Sequence, residues 1–389
     1  MTFQARLTAV GLERPDYGGR ELGAVLPAAL AAVGAGHAVQ SRSADSDRTR
    51  LGVPRGRHVI VVVLDGLGHQ QLDARRGHAP FLRSMVSERI TAGFPTTTAT
   101  SLSLFGTGFP SGRTGMAGYT VRNPRSGELA NLVNWEGAYR AEEWQPRPSL
   151  LEEAAREGLS VTTLGKARFA GSGLTHAALR GGDFIGAERL EDRVDIAAGV
   201  ARKPGISYLY WGEIDSAGHH HGWGSSEWVA ALEDADRELK RLARSLPRDA
   251  VMVVTADHGM VDITGAPRWD VAEVPGLREG IQLVAGEPRA THLHLEPGVD
   301  PDAVVARWQD ILGVHAAVGT RQDIVDAGLV GKMDPAVADR FGDVVVAMAG
   351  RATVVDSRTQ TPKSMELIGV HGSLTPEELY VPLLTVAAD

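Results

Sequence analysis

His58-Val-Ile-Val-Val-Val-Leu-Asp65-Gly66 decides the fold. An unbroken, mostly β-branched apolar run has no polar side to give to water. It therefore predicts a strand buried on both faces, as in a parallel sheet covered by helices. The run stops at Asp-Gly, so Asp65 stands at the strand's carboxyl end, where open α/β sheets place their ligands. Two later segments repeat the pattern. Ile206 to Trp211 leads into Gly-Glu-Ile-Asp215-Ser-Ala-Gly-His219, and Ala250 to Thr255 leads into Ala-Asp257-His258-Gly. Helices are predicted over Gly68 to Met85, Ser149 to Glu157, Glu188 to Val200 and Ser225 to about Leu246. Strands alternating with helices predict an α/β fold with a doubly wound, mostly parallel central sheet and helices on both faces.

Outside this rhythm, residues 1–55 read as an extension packed on the core, with Leu22 to Val33 helical and Pro27 in its first turn. Residues 56–276 and 342–389 form the expected catalytic domain, and 277–341 a small α+β cap. In the cap, Ile281 to Ala285 and Ala290 to Leu295 alternate like exposed strands, which puts His292 and His294 on a surface. Pro301 to Leu312 and Gln322 to Ala327 read as helices. Asp343 to Met348 and Ala352 to Val355 are expected to rejoin the main sheet.

Composition removes several classes of function. The chain is 43% hydrophobic and 23% charged, with a formal net charge of -8. No Lys/Arg run offers a nucleic-acid polymer the basic face that its phosphates need. There is no cysteine, so disulfides, thiolate metal sites and Cys nucleophiles are excluded, and any metal must be held by His and carboxylates. The first residues show no basic stretch followed by an apolar one, and no apolar run reaches the roughly 20 residues of a membrane span. The expectation is a cytoplasmic protein.

A second decisive stretch is Phe94-Pro-Thr-Thr-Thr98-Ala-Thr-Ser101, running into apolar residues that end in Gly-Thr-Gly108. Helix openings rich in hydroxyls direct backbone N–H groups at one spot, which suits an oxyanion. Alone, the stretch is a helix cap with spare hydroxyls. Likewise a lone Asp-Gly is usually a turn and Asp-His-Gly a cap. Joined by Gly369-Val-His371-Gly372, however, three strand-end segments converge on one sheet edge. Three carboxylates, three imidazoles and a hydroxyl suffice for two divalent ions, zinc first and manganese second. Asp215 and His219, four apart on a helix, face alike. His220 and His221 then point elsewhere and are set aside; His37, His58, His69, His78 and His315 read as structural or exposed.

These motifs, in this order over roughly residues 57–262 and 366–375, resemble the alkaline phosphatase superfamily, most closely its nucleotide pyrophosphatase/phosphodiesterase branch. The resemblance implies that Thr98, counted from Phe-Pro, is the nucleophile. It further implies that Asp215, His219 and His371 hold one zinc, and that Asp65, Asp257, His258 and the Thr98 oxygen hold the other. The implied reaction is hydrolysis of small phosphodiesters or pyrophosphates of nucleotide type through a phosphothreonine. Two positions depart from the pattern. Tyr119 falls at or near the place of a phosphoryl-binding Asn, and Thr97 stands where a Lys is common. A phosphomonoesterase or phosphonate hydrolase on the same scaffold is thus the alternative, and a catalytically silent metal-binding protein the non-enzymatic one. Sulfatases, which need a Cys- or Ser-derived nucleophile in other surroundings, and manganese-dependent phosphomutases rank low. Tyr119, Lys166, Arg168 and His176 are the candidate substrate contacts.

Overall fold

The computed structural model describes residues 1–387, so the last two residues of the predicted 342–389 segment lie outside it. Among the described residues, the main sheet runs Val86–Thr91, Tyr380–Ala387, Ala250–Thr255, His58–Leu64, Gly205–Trp211, Val161–Gly165, Asp183–Gly186. The fold is the expected mixed α/β arrangement. Pairings among the five strands from Ala250–Thr255 to Asp183–Gly186 are parallel, and Tyr380–Ala387 is antiparallel to both its neighbours. His58–Leu64 is central and every residue in it is buried, which is what its lack of polar positions requires. Each such aliphatic side chain contributes on the order of 1.5–3 kcal/mol when removed from water.

Helices flank this sheet. Ser226–Ser245, the longest, starts at Ser225, whose hydroxyl accepts from the Trp228 N–H, and it buries Trp228, Leu232, Leu239 and Leu242. The N-terminal extension is no loose appendage, since all eight residues of Val25–Ala32 are buried. Pro27 lies in that helix's first turn, as expected. The single helix predicted over Gly68 to Met85 is instead two short ones, His69–Ala74 and Pro80–Ser84; Pro80 starts the second because its missing N–H would break a continuous helix.

The cap differs from expectation in two ways. First, Val344–Met348 does not return to the main sheet. It lies in a second sheet ordered Ala316–Thr320, Val344–Met348, Ala290–Leu295, Ile281–Glu287, Thr120–Arg122, Leu129–Asn131. Thr353–Val355 pairs with Arg268–Asp270. Second, the cap strands are largely buried, because the sheet is covered on both faces. Leu293 and Leu295 pack in a second core with Val304, Trp308 and Leu312 of helix Pro301–Leu312. Val345, Ala347, Ala290 and Ala317 join the main core.

His292 and His294 are therefore interior and not on a surface. The Gly342 N–H donates to His292 Nδ1 at 3.1 Å, while Nε2 of both rings has no partner. Burial first, then the neighbouring His294 and Arg321, pushes His292 down to about 3; burial, then Arg122 and Arg321, does the same to His294. Unfolded, both titrate near 6.5, so stability is complete above that pH and falls as pH drops toward 3. Between pH 7 and pH 5 the loss is about 2 kcal/mol per histidine. Urea unfolding at the two pH values should show it, and His292→Asn/His294→Asn should flatten the slope; an unchanged slope in that variant would refute the assignment.

Candidate metal centre

The strand register brings the chemistry together. Leu64 pairs with Trp211 and Val63 with Thr255, so three strands end at one edge. The Asp65 N–H donates to the Trp211 carbonyl at 2.9 Å. Gly66, at φ 72°, lies so close to Asp215 that an added Cβ would stand 2.8 Å from the Asp215 Cβ. Only glycine fits there, and its N–H donates to Asp257 Oδ1 at 3.2 Å. Helix Glu213–His221 sets Asp215 and His219 one turn apart, with Oδ2 and Nε2 3.3 Å apart.

Thr96 supplies the fourth arm. Its N–H donates to the Gly372 carbonyl at 3.0 Å. Its hydroxyl donates to the Ser373 carbonyl at 2.7 Å and accepts from the Gly372 N–H at 3.1 Å. This clamp holds His371 beside the start of helix Thr98–Thr107. Thr98, the helix's first residue, has Oγ1 3.3 Å from His258 Nε2. The His258 and His371 rings stack at 3.7 Å.

All three imidazoles share one polarity. Nδ1 of His219, His258 and His371 lies 2.7, 3.0 and 2.8 Å from the carbonyls of Gly369, Gly259 and Thr96. A carbonyl can only accept, so each Nδ1 carries a proton and each Nε2 is the nitrogen turned inward, the usual preparation of a metal-binding histidine. Opposite them, Asp65 Oδ1, Asp215 Oδ1 and Asp257 Oδ2 are buried without hydrogen-bond partners. Burial, then repulsion from Asp257 and Asp215, raises Asp65 well above the usual carboxylate range. Burial also raises Asp257. Asp215 is held low: burial opposes its charge, but His219, His371 and His258 outweigh it. His219 in turn rises to about 9, because the Asp215 carboxylate overcomes the burial penalty. Uncompensated buried charge costs several kcal/mol per ion, and a proton on His219 is one substitute for a cation.

The donor set fits divalent ions. Asp215, His219 and His371 place ligand atoms within 4.8 Å of one another, and so do Asp65, Asp215 and His258. Asp215 thus joins both groups. Asp257 lies alongside the second, its Oδ2 3.6 Å from His258 Nε2. His220 and His221 join neither.

The four candidate substrate contacts lie in the following surroundings. Lys166 pairs with Glu213 at 2.6 Å, His176 with Glu142 at 3.3 Å, and Arg168 lies over Phe169. Tyr119 is exposed. Thr98 also adjoins a cavity lined by Leu102, Leu164, Phe169, Phe184, Tyr208 and Tyr210. The hydroxyls of Thr163 and Tyr208 border it without partners. Sequence reading also missed the Tyr210 hydroxyl, which donates to Asp65 Oδ2, and the Thr96 clamp. Neither has a motif: Tyr210 sits in an apolar run, and Thr96 is one of three adjacent threonines.

A family model described as type I phosphodiesterase / nucleotide pyrophosphatase matches residues 59–374. Among solved structures, murine ectonucleotide pyrophosphatase/phosphodiesterase 5 is 19% identical, covers 84% of this chain and 87% of its own, and superposes with a TM-score of 0.66. Phosphonoacetate hydrolase from Sinorhizobium meliloti 1021, in complex with phosphonoacetate, is 20% identical, with coverage of 86% and 91% and a TM-score of 0.64. A phosphopentomutase of Desulfitobacterium hafniense is 26% identical over 171 residues, which are 43% of this chain and 42% of the relative. The chain thus spans about two fifths of the curated relatives it matches.

The Thr96 clamp is directly testable. Thr96→Val keeps the shape but strands the Ser373 carbonyl and the Gly372 N–H in a buried position. A loss of about 2–3 kcal/mol is expected in urea unfolding; a change within about 0.5 kcal/mol would show that the clamp does not hold the two segments together.

Proposed function

The chain belongs to the type I phosphodiesterase / nucleotide pyrophosphatase family of phosphoryl-transfer enzymes, and we propose that it hydrolyses small nucleotide-type phosphodiesters or pyrophosphates through a phosphothreonine at Thr98. The observation that carries this reading is the placement of the Thr98 hydroxyl 3.3 Å from His258 Nε2, at the rim of the carboxylate–imidazole pocket and the mouth of the aromatic cavity. Asp215, His219 and His371 would hold one zinc, and Asp65, Asp257, His258 and the Thr98 oxygen the other, with manganese as the second choice. When bound, such ions supply Lewis acidity that lowers the pKa of a hydroxyl or water.

The chain's own groups do the rest. Thr98 Oγ1 attacks phosphorus in line and displaces the alcohol or nucleotide; water then hydrolyses the phosphothreonine, so configuration at phosphorus is retained. The helix start presents free N–H groups to the equatorial oxygens, because no side chain caps it. Tyr210, donating to Asp65, fixes which carboxylate oxygen faces inward. The aromatic walls with their two unpartnered hydroxyls suit a flat heteroaromatic group such as a nucleobase. Murine ectonucleotide pyrophosphatase/phosphodiesterase 5 has been solved as an inactive form in complex with AMP, which supports a ligand of that kind.

Tyr119, where the family pattern has Asn, favours a second reading, a phosphomonoesterase or phosphonate hydrolase on the same scaffold. Cytoplasmic location remains part of the proposal; no helix is long and apolar enough to cross a membrane among the described residues.

Zinc-loaded protein assayed on dinucleotide pyrophosphates, aryl phosphodiesters, monoesters and phosphonates should favour the first two. Thr98→Ala should lower turnover by at least about 10³-fold, and acid-quenched wild type should carry phosphate on Thr98 by mass spectrometry. Full activity in Thr98→Ala would end the proposal.

A further inference from the structure

The hydroxyls that line the cavity beside Thr98 fall into two groups. Some are committed to protein partners. Ser172 donates to Thr175 Oγ1 at 3.0 Å and accepts from the Thr175 N–H at 3.2 Å. Tyr210 donates to Asp65, and Thr98 faces His258. Thr163 and Tyr208 are different: their hydroxyls are buried and have no hydrogen-bond partner among the described residues. Thr163 is 4% exposed and Tyr208 2%, so neither reaches bulk water. A buried hydroxyl without a partner costs free energy, and Val or Phe of the same shape would remove that cost.

The two hydroxyls are also neighbours. Thr163 and Tyr208 are register partners on the adjacent parallel strands Val161–Gly165 and Gly205–Trp211, so their side chains leave the sheet side by side on one face. Tyr210, two residues further along, shares that face. The pair therefore lies one pleat, roughly 6.6 Å, back from Tyr210 and the carboxylate edge. At that depth it meets the group attached to phosphorus, and the phosphoryl group itself stays at Thr98. The Phe105 ring, tilted against Tyr208 with centroids 5.4 Å apart, holds the phenol in place.

We infer that Thr163 and Tyr208 are specificity-determining residues: their hydroxyls hydrogen-bond the polar edge of a heterocycle on the phosphoester and discriminate against an apolar ring of the same shape. This rests on the reading that Thr98 receives the phosphoryl group and the cavity the ring. Each hydroxyl can donate and accept, so the pair suits an edge on which carbonyl oxygens flank a ring N–H. A ring without that edge would leave both hydroxyls unpaired in an enclosed site, which is how a hydrogen-bonding pocket rejects an analogue. The aromatic walls alone would take either ring, because stacking and apolar contact do not depend on its edge.

The test compares two ligands of one shape, thymidine monophosphate and its difluorotoluene isostere, which keeps the ring outline and lacks the hydrogen-bonding edge. Their binding to the zinc-loaded protein is measured by isothermal titration calorimetry for wild type, Thr163→Val, Tyr208→Phe and the double variant. A neutral hydrogen bond is worth roughly twofold to twelvefold in affinity, so wild type should prefer the thymidine ligand by at least about fivefold. The double variant should lose that preference to within about twofold, each single variant should fall between, and Thr163→Ser should restore what Thr163→Val removes. Melting temperatures should hold or rise, because the deleted hydroxyls have no protein partner to lose. No preference in wild type, a preference that survives in the double variant, or a fall in melting temperature that marks the hydroxyls as structural overturns the inference. Turnover of bis(4-nitrophenyl) phosphate is measured separately. Discrimination between the ligands without turnover would sink the phosphodiesterase reading alone, and turnover without discrimination would sink this inference alone.

Discussion

The structure depends on an electrostatic conflict at one sheet edge. Asp65 and Asp257 are buried there, Asp215 is partly buried, and each keeps a buried carboxylate oxygen without a hydrogen bond. Left so, their repulsion and desolvation oppose folding, and Asp65 answers by holding its proton far above the usual range. Against them stand three Nε2 atoms whose partner nitrogens are already committed to backbone carbonyls. The two sets approach at His219 with Asp215 and His258 with Asp65, each pair 3.3 Å apart. A proton on His219 relieves part of this charge, and divalent cations held by both sets would relieve more.

Much of the remaining architecture keeps that arrangement rigid. The central strand has no polar side, so its register is set by burial, and the parallel pairing aligns three acidic loops at one edge. Gly66 lets two of those loops touch. Thr96 ties the Thr98 segment to the His371 segment through its N–H, carbonyl and hydroxyl. The second sheet, covered by its own helix on one face and by the main-sheet unit on the other, delivers Glu287 and Arg289 behind the same loop. The cap is therefore part of the wall of the site as much as a cover over it.

The fold class was legible because an apolar run with no polar positions admits few environments, and the strand-end Asp and His residues followed from it. Candidate ligands could be recognised because the motifs are short and lie directly after buried strands. Other features depend on tertiary context. That Val344–Met348 joins the cap sheet cannot be read from an apolar segment suited to either sheet. The alternation around His292 and His294 resembles an exposed strand, but a second layer covers the face that alternation would give to water. Tyr210 and Thr96 act through register and long-range contact, with chain separations of more than 140 residues in the first case and more than 270 in the second. The sequence does not show the partners of the charged loop residues: Lys166 and His176 pair with Glu213 and Glu142, and Arg168 lies over Phe169.

The central claim is that cations resolve the charge pattern at the sheet edge. Crystals grown with zinc and measured on both sides of the zinc absorption edge test it most directly. Two anomalous peaks are expected, one bounded by Asp215, His219 and His371, the other by Asp65, Asp257, His258 and the Thr98 oxygen. A well-ordered pocket with no peak, its carboxylates paired to protein groups and its Nε2 atoms turned away, would contradict it.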